Sequence, residues 1–174
     1  SALSPVRPRT TDFVLINGGH LGTTCARVGC MPSKAAIQIG DDFHRRAVFE
    51  LHGIEGADEL SLDRSEAMEQ VRDLRDNFVG RVTSNSTDKM PPEKFIDGYA
   101  RFTGPNTLEV NGETIEAKRI IIAAGGRPII PEDWKQFGDK VLTTDEFFEQ
   151  ESFPDRMAVI GLGVIGLELG QTLA

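Results

Sequence analysis

The chain holds two cysteines, Cys25 and Cys30, inside the stretch GTTCARVGCMPSK at residues 22–34. Thiols at this spacing can form a disulfide, supply half of a metal site, or pack as small hydrophobes. An ideal helix separates residues five apart by about 8 to 9 Å, whereas a disulfide needs Cα atoms within about 7 Å. Bridging therefore needs a break in the helix. Gly29 is conformationally free, and Pro32 can neither donate to residue 28 nor avoid crowding its carbonyl, so the break is available. A zinc site needs two further ligands, and His20, His44 and His52 show no matching spacing, so no metal is expected. Arg27, Lys34 and a helix start after the cysteines would favour thiolate, the reactive form in thiol–disulfide exchange. A redox pair is the favoured reading, with unlinked buried thiols as the alternative.

A second pattern lies near the end, where Gly161, Gly163 and Gly166 form G-x-G-x-x-G between an expected strand, Met157–Ile160, and a helix-like run. The first glycine suits a tight turn and the second a close approach of backbone to a pyrophosphate. The third suits packing of helix on strand, while the helix N-terminus offers N–H groups. A glycine turn with no ligand has the same pattern, so this signal is weak alone. The acid expected about 20 residues further on lies beyond Ala174, so the unit reads as begun and not finished.

The elements that must position these residues follow from periodicity. TDFVLIN at 11–17 reads as a strand ending at Gly18-Gly19, after an opening segment that Pro5 and Pro8 make unsuited to helix. Residues 34–52 read as a helix with Ile37, Phe43, Ala47 and Leu51 on one face and Gly53 as its stop. A second helix starts at Asp63-x-x-Glu66 and carries Met68, Val71, Leu74, Phe78 and Val82 at spacings of three or four. KFIDGYARF and NTLEV read as strands, and Asn111-Gly112 as a two-residue hairpin. ETIEAKRIIIAAG is the returning strand, ending in an apolar run suited to burial on both faces. Residues 131–154 form a connector with Trp134, Phe147 and Phe148 as anchors.

A net charge of −8 argues against nucleic acid or an anionic membrane as partner, since both need a basic face. No segment reaches the roughly 18 apolar residues of a membrane helix, and the start has no secretory h-region. Two cysteines are too few for a disulfide-stapled secreted domain, so a cytoplasmic protein is expected.

Four motifs together carry a resemblance: GTTCARVGCMPSK, GYARF at 98–102, RIIIAAGGRP at 119–128 and AVIGLGVIGLELG at 158–170. In order and spacing they resemble the flavin-dependent pyridine nucleotide–disulfide oxidoreductases, nearest to the dihydrolipoamide dehydrogenase branch, with a mercuric reductase-like or other disulfide-active flavoreductase as alternative. The resemblance implies an α/β fold: a partial FAD/NAD(P)-binding Rossmann-like domain with a small β-meander over 1–150, and the truncated start of a second, NAD-binding domain over 151–174. It implies that Cys25 is the interchange thiol and that Cys30 lies beside the flavin, forming a charge-transfer pair when reduced. Lys34 would sit near the reactive flavin nitrogen and pair with Glu168. Asn17 stands where the family usually has an acid for the FAD ribose, and an amide there loses charge-assisted strength. Gly18, Gly19, Gly22, Thr23, Thr24, Gly98, Tyr99, Ala100, Ala123, Ala124 and Gly125 would line FAD. Gly161, Gly163 and Gly166 would serve the second dinucleotide, NAD with NADP not excluded. The implied reaction oxidises dihydrolipoamide with NAD through the cysteine pair and FAD, in a homodimer. The family's first strand with its own glycine motif, and its His–Glu acid–base pair, fall outside these residues, so the isolated 174-residue chain is expected to be inactive or a non-catalytic product.

Overall fold

The computed structural model describes residues 12–174, so the expectation for the opening segment with Pro5 and Pro8 lies outside the described residues. Helices and strands are mixed, as expected for an α/β chain, and fall into two compact units. One runs to Thr23 and resumes over Gly80–Arg127; the other comprises Thr24–Val79 and Pro128–Ala174.

In the first unit, β1 (Leu15–Asn17) pairs in parallel with β2 (Phe95–Asp97), Leu15 opposite Phe95 and Asn17 opposite Asp97. The Gly98 amide extends the pairing by donating to the Asn17 carbonyl at 3.0 Å. The meander is present as β3 (Arg101–Gly104), β4 (Thr107–Val110) and β5 (Glu113–Glu116), antiparallel in that order. Leu108 and Val110 point to its buried side. Asn111 and Gly112 both take positive φ, 52° and 82°, the geometry of the mirror-image turn that matches strand twist.

The second unit is helical. α1 (Thr24–Val28) and α2 (Cys30–His44) meet at Gly29, whose φ of −135° and ψ of −120° leave the helical region. α3 (Arg64–Ser84) begins where Asp63 Oδ1 accepts from the Ser65 and Glu66 amides at 2.9 and 3.2 Å, and then runs on into the first unit. α4 (Thr144–Phe147) starts at a full capping box between Thr143 and Glu146. α5 (Val164–Leu173) follows the glycine motif. The core joins Ala35 and Ala36 of α2, Val71 of α3, Phe147, Phe148 and Leu169 of α5. Burial of these side chains is worth about 1.5 to 3 kcal/mol for each large one.

Four expectations are corrected. The first helix starts four residues earlier, at Cys30, and ends at His44, giving way to two 3-10 turns, Arg45–Val48 and Glu50–His52, before Gly53 at φ 73°. Three residues per turn rotate the later side chains off the expected face, so Leu51 is 82% exposed, and the buried positions are Pro32, Ser33, Ala35 and Ala36. The runs 119–125 and 157–160 are not strands. A strand needs a neighbour for its N–H and C=O groups, and the one parallel pairing among the described residues is β1 with β2. Ile122 is accordingly 74% exposed and Ile160 71%. Trp134 is half-buried within a 3-10 segment and anchors nothing in the core, whereas Phe147 and Phe148 do.

Candidate redox site

Two helices carry the cysteines, Cys25 in the first turn of α1 and Cys30 as the first residue of α2. The expected helix start after the pair is therefore corrected: the pair straddles a helix–helix break. Gly29 makes the break compact, since a Cβ there would stand 3.0 Å from the Thr24 carbonyl oxygen. Pro32 sits in the first turn of α2, where no intrahelical donor is required, and is fully buried. Both thiols are free and exposed, and they lie within hydrogen-bonding range of each other.

The electrostatics differ from expectation. The Cys30 thiol, by hydrogen bonding, holds the proton on Cys25 and raises its pKa above the ordinary thiol value. Some desolvation adds to the shift, while the Cys30 and Met31 amides oppose it by donating to the Cys25 sulfur. The expected thiolate stabilisation of Cys25 is thus overturned in this state. Lys34 does not supply it, because its ammonium donates to Glu168 Oε1 at 2.5 Å. α2 and α5 make that pairing possible by close approach at Gly40, where a Cβ would stand 3.4 Å from the Thr172 carbonyl oxygen. Thr172 in turn donates its hydroxyl to the Glu168 carbonyl at 2.8 Å.

The glycine motif has three distinct geometries. Gly161 takes φ 107°, which disfavours a side chain. A Cβ on Gly166 would overlap the Gly161 carbonyl oxygen. Around Gly163, the N-cap of α5, a Cβ would meet nothing within 4 Å, and no side chain caps the helix. The first N–H groups of a ten-residue helix are therefore left to an outside acceptor.

Within the first unit, Asn17 donates its amide to the Gly19 carbonyl at 2.6 Å. Gly18 lies under the ring of Tyr99, so closely that a Cβ would strike it, and Tyr99 remains 78% exposed. Gly98 is confined by Val110 and by Asn111, which donates to the Asp97 carbonyl at 2.9 Å. Ala100 follows Tyr99 just ahead of β3, exposed. Gly22 takes φ 105° and Thr23 is exposed. In the second unit Thr24 opens α1. Ala123, Ala124 and Gly125 are exposed and outside any strand. The structure thus joins Cys25 with Cys30, Lys34 with Glu168, Gly161 with Gly166, and Gly18 with Tyr99; residues 123–125 join none of these groups. No cluster of three or more metal-ligating side chains occurs among the described residues.

Two residues escaped sequence reasoning. Ser33 is buried, and its only signal was a polar residue between Pro32 and the alanines of α2. Arg75 is buried on the Val71 face of α3 and bonds both Asp76, at 2.8 Å, and Glu149, at 2.5 Å. Its charge masked it, since helical periodicity counts apolar positions.

A family model described as pyridine nucleotide-disulphide oxidoreductase matches residues 2–174. The chain belongs to that family. Among its relatives, a dihydrolipoyl dehydrogenase of Thermus scotoductus is 35% identical over 90% of this chain and 33% of its own length. A mercuric reductase of Lysinibacillus sphaericus is 32% identical over 90% of this chain and 28% of its own length. The chain thus spans about a third of the family members it matches. In fold it is similar to the HOCl-induced flavoprotein disulfide reductase RclA from Escherichia coli, solved as its Cu(II) complex, with a TM-score of 0.75 at 19% identity. That likeness covers 99% of this chain and 36% of the reductase. Among the described residues no helix is long and apolar enough to cross a membrane.

Proposed function

We propose that this family member is part of an FAD-dependent dithiol–disulfide oxidoreductase that oxidises a dihydrolipoyl group with NAD, NADP not being excluded. The observation that carries the reading is the pair of free thiols on either side of Gly29, with Cys30 hydrogen-bonded to Cys25, and Lys34 of the same helix as Cys30 paired with Glu168. The oxidised pair would accept a substrate thiolate at Cys25, forming a mixed disulfide and releasing Cys30 as the leaving thiol. The second substrate thiol then attacks its own bridging sulfur and frees Cys25. The substrate becomes a disulfide, and its two electrons remain on two cysteine thiols. When bound, FAD would relay those electrons to the nicotinamide.

The residues present fit dinucleotides. Gly163 is open where a Cβ would close the cradle, and the α5 amides need an acceptor. The Tyr99 ring, exposed over Gly18, offers a stacking face. Asn17, Gly19, Gly22, Thr23, Thr24, Gly98, Ala100 and residues 123–125 are assigned to FAD by their motifs, and Gly161, Gly163 and Gly166 to the nicotinamide dinucleotide. We place an FAD-binding domain at 1–150 and the start of an NAD-binding domain at 151–174. A homodimer in a reducing, cytoplasmic compartment, contributing to cell redox homeostasis, completes the reading; exposed free thiols fit such a compartment.

The test uses the whole protein. Dithiol reduction is expected to produce a long-wavelength absorption band, and Cys30→Ser to abolish it. A band that survives the substitution refutes the assignment of the two sulfurs. A second reading, mercuric reduction, is favoured by the relatives of that name at 32 and 34% identity. NADPH-dependent loss of Hg(II), with no oxidation of dihydrolipoamide, would select it.

A further inference from the structure

We infer that Ser33 is a positioning residue for the cysteine pair, setting how readily Cys25 and Cys30 close into a disulfide. This rests on the redox reading above. Its own basis is separate. The sulfurs meet only because the chain leaves helical geometry at Gly29, with φ −135° and ψ −120°. Ser33 is bonded to the break residue itself and to the cysteine that follows it. Its amide donates to the Gly29 carbonyl at 3.1 Å, and its hydroxyl donates to the Cys30 carbonyl at 3.1 Å.

A serine hydroxyl bonding back one turn is common in helices and is usually incidental. Burial separates this case from the usual one. Among the described residues, Ser33 and Arg75 are the buried polar side chains. Water therefore cannot readily replace the hydroxyl, and the carbonyl it holds belongs to the redox cysteine itself. The Ser33 amide is the donor that closes the first turn of α2 onto Gly29. Loss of the hydroxyl widens the range of backbone angles at Gly29 and Cys30. The two thiols then spend less time in bonding range, and their effective concentration falls.

The closing step is an exchange with a small cyclic disulfide. The Cys25 and Cys30 thiols give two electrons and two protons to oxidised dithiothreitol, which becomes its dithiol as the Cys25–Cys30 bond forms. The experiment equilibrates the 174-residue chain in defined ratios of oxidised and reduced dithiothreitol. Free thiols are then counted by alkylation and mass. Ser33→Ala keeps helix propensity and leaves nothing to overpack, so it retains the fold. It is expected to lower the equilibrium constant for disulfide formation by about threefold or more, since even one loosened turn cuts the effective concentration on that order. Ser33→Thr, which restores a hydroxyl, is expected to recover it. Ala36→Gly, which loosens the same helix without touching Cys30, is expected to lower the melting temperature and leave the constant unchanged. An unchanged constant in Ser33→Ala, with wild type closing normally, overturns the inference alone. A wild-type chain that never loses two thiols to the oxidant overturns the redox reading and the inference with it.

Discussion

At the scale of single residues, the acidity of Cys25 is set by its neighbouring thiol more than by basic side chains. Cys30, through its hydrogen bond, is the largest cause of the raised Cys25 pKa, while two amides pull the other way. Cys30→Ala therefore lowers the pH at which Cys25 is half alkylated by iodoacetamide, read by mass against pH. A midpoint that stays put or rises contradicts this account. The sign for stability follows from the same shift. A raised folded-state pKa gives the reduced chain a contribution that is complete below the usual thiol value of 9.0 and is lost as pH rises through the folded value. Lys34 and Glu168 form a pair with 57% and 34% exposure, so it adds little to stability, about 0.5 kcal/mol after screening. On the proposed dihydrolipoyl reading, Glu168→Gln should leave the melting temperature nearly unchanged while reducing dihydrolipoamide oxidation by the whole protein at least about tenfold, near 1.4 kcal/mol of barrier. Equal losses in stability and activity would make the pair structural.

At the scale of elements, caps and glycines decide where helices begin. Thr143 and Glu146 close the box that starts α4, and hydrogen bonding to Thr143 depresses the Glu146 pKa. This stabilisation is present above the ordinary carboxylate value of 4.5 and is lost as pH falls through the lower folded value. Thr143→Ala should cost about 1 kcal/mol in urea unfolding at neutral pH, and that difference should shrink in acid. In α5 the limit is steric. A Cβ on Gly166 would overlap the Gly161 carbonyl, so Gly166→Ala should reduce far-UV helix signal and cost at least about 1 to 3 kcal/mol. A neutral result would mean that the turn at Gly161 moves freely.

At the scale of the whole molecule, the notable feature is exposed apolar chain. Ile121 and Ile122 lie open in one unit, and Ile129, Ile160, Leu162 and Val164 in the other. Apolar residues in such number on a surface bind hydrophobic dyes or self-associate. The purified chain should therefore enhance anilinonaphthalene sulfonate fluorescence at neutral pH, and Ile122→Lys or Leu162→Lys should each reduce it. The helical core is the counterweight. Phe148, 1% exposed, touches the cluster that includes Val71 and Leu169, so Phe148→Ala should cost about 3 to 5 kcal/mol and unfold much of the second unit.

The sequence alone determined what is local. The Asn111-Gly112 turn, the Asp63 cap and the α5 start all depend on side chains within a few residues, and each was legible. So was the family, because four motifs in order specify it more sharply than any one. The mixed α/β class followed from that resemblance. Only the tertiary structure decided the rest. It showed 119–125 and 157–160 outside any strand, because pairing depends on a neighbour that no local pattern reveals. It rotated Leu51 to solvent through two 3-10 turns, and it buried Ser33 and Arg75, whose polarity hid them from an apolar count. For the cysteines, spacing showed that a break was needed. The fold supplied its form: Gly29 joins two helices so that Cys30 hydrogen-bonds Cys25, and α5 brings Glu168 to Lys34.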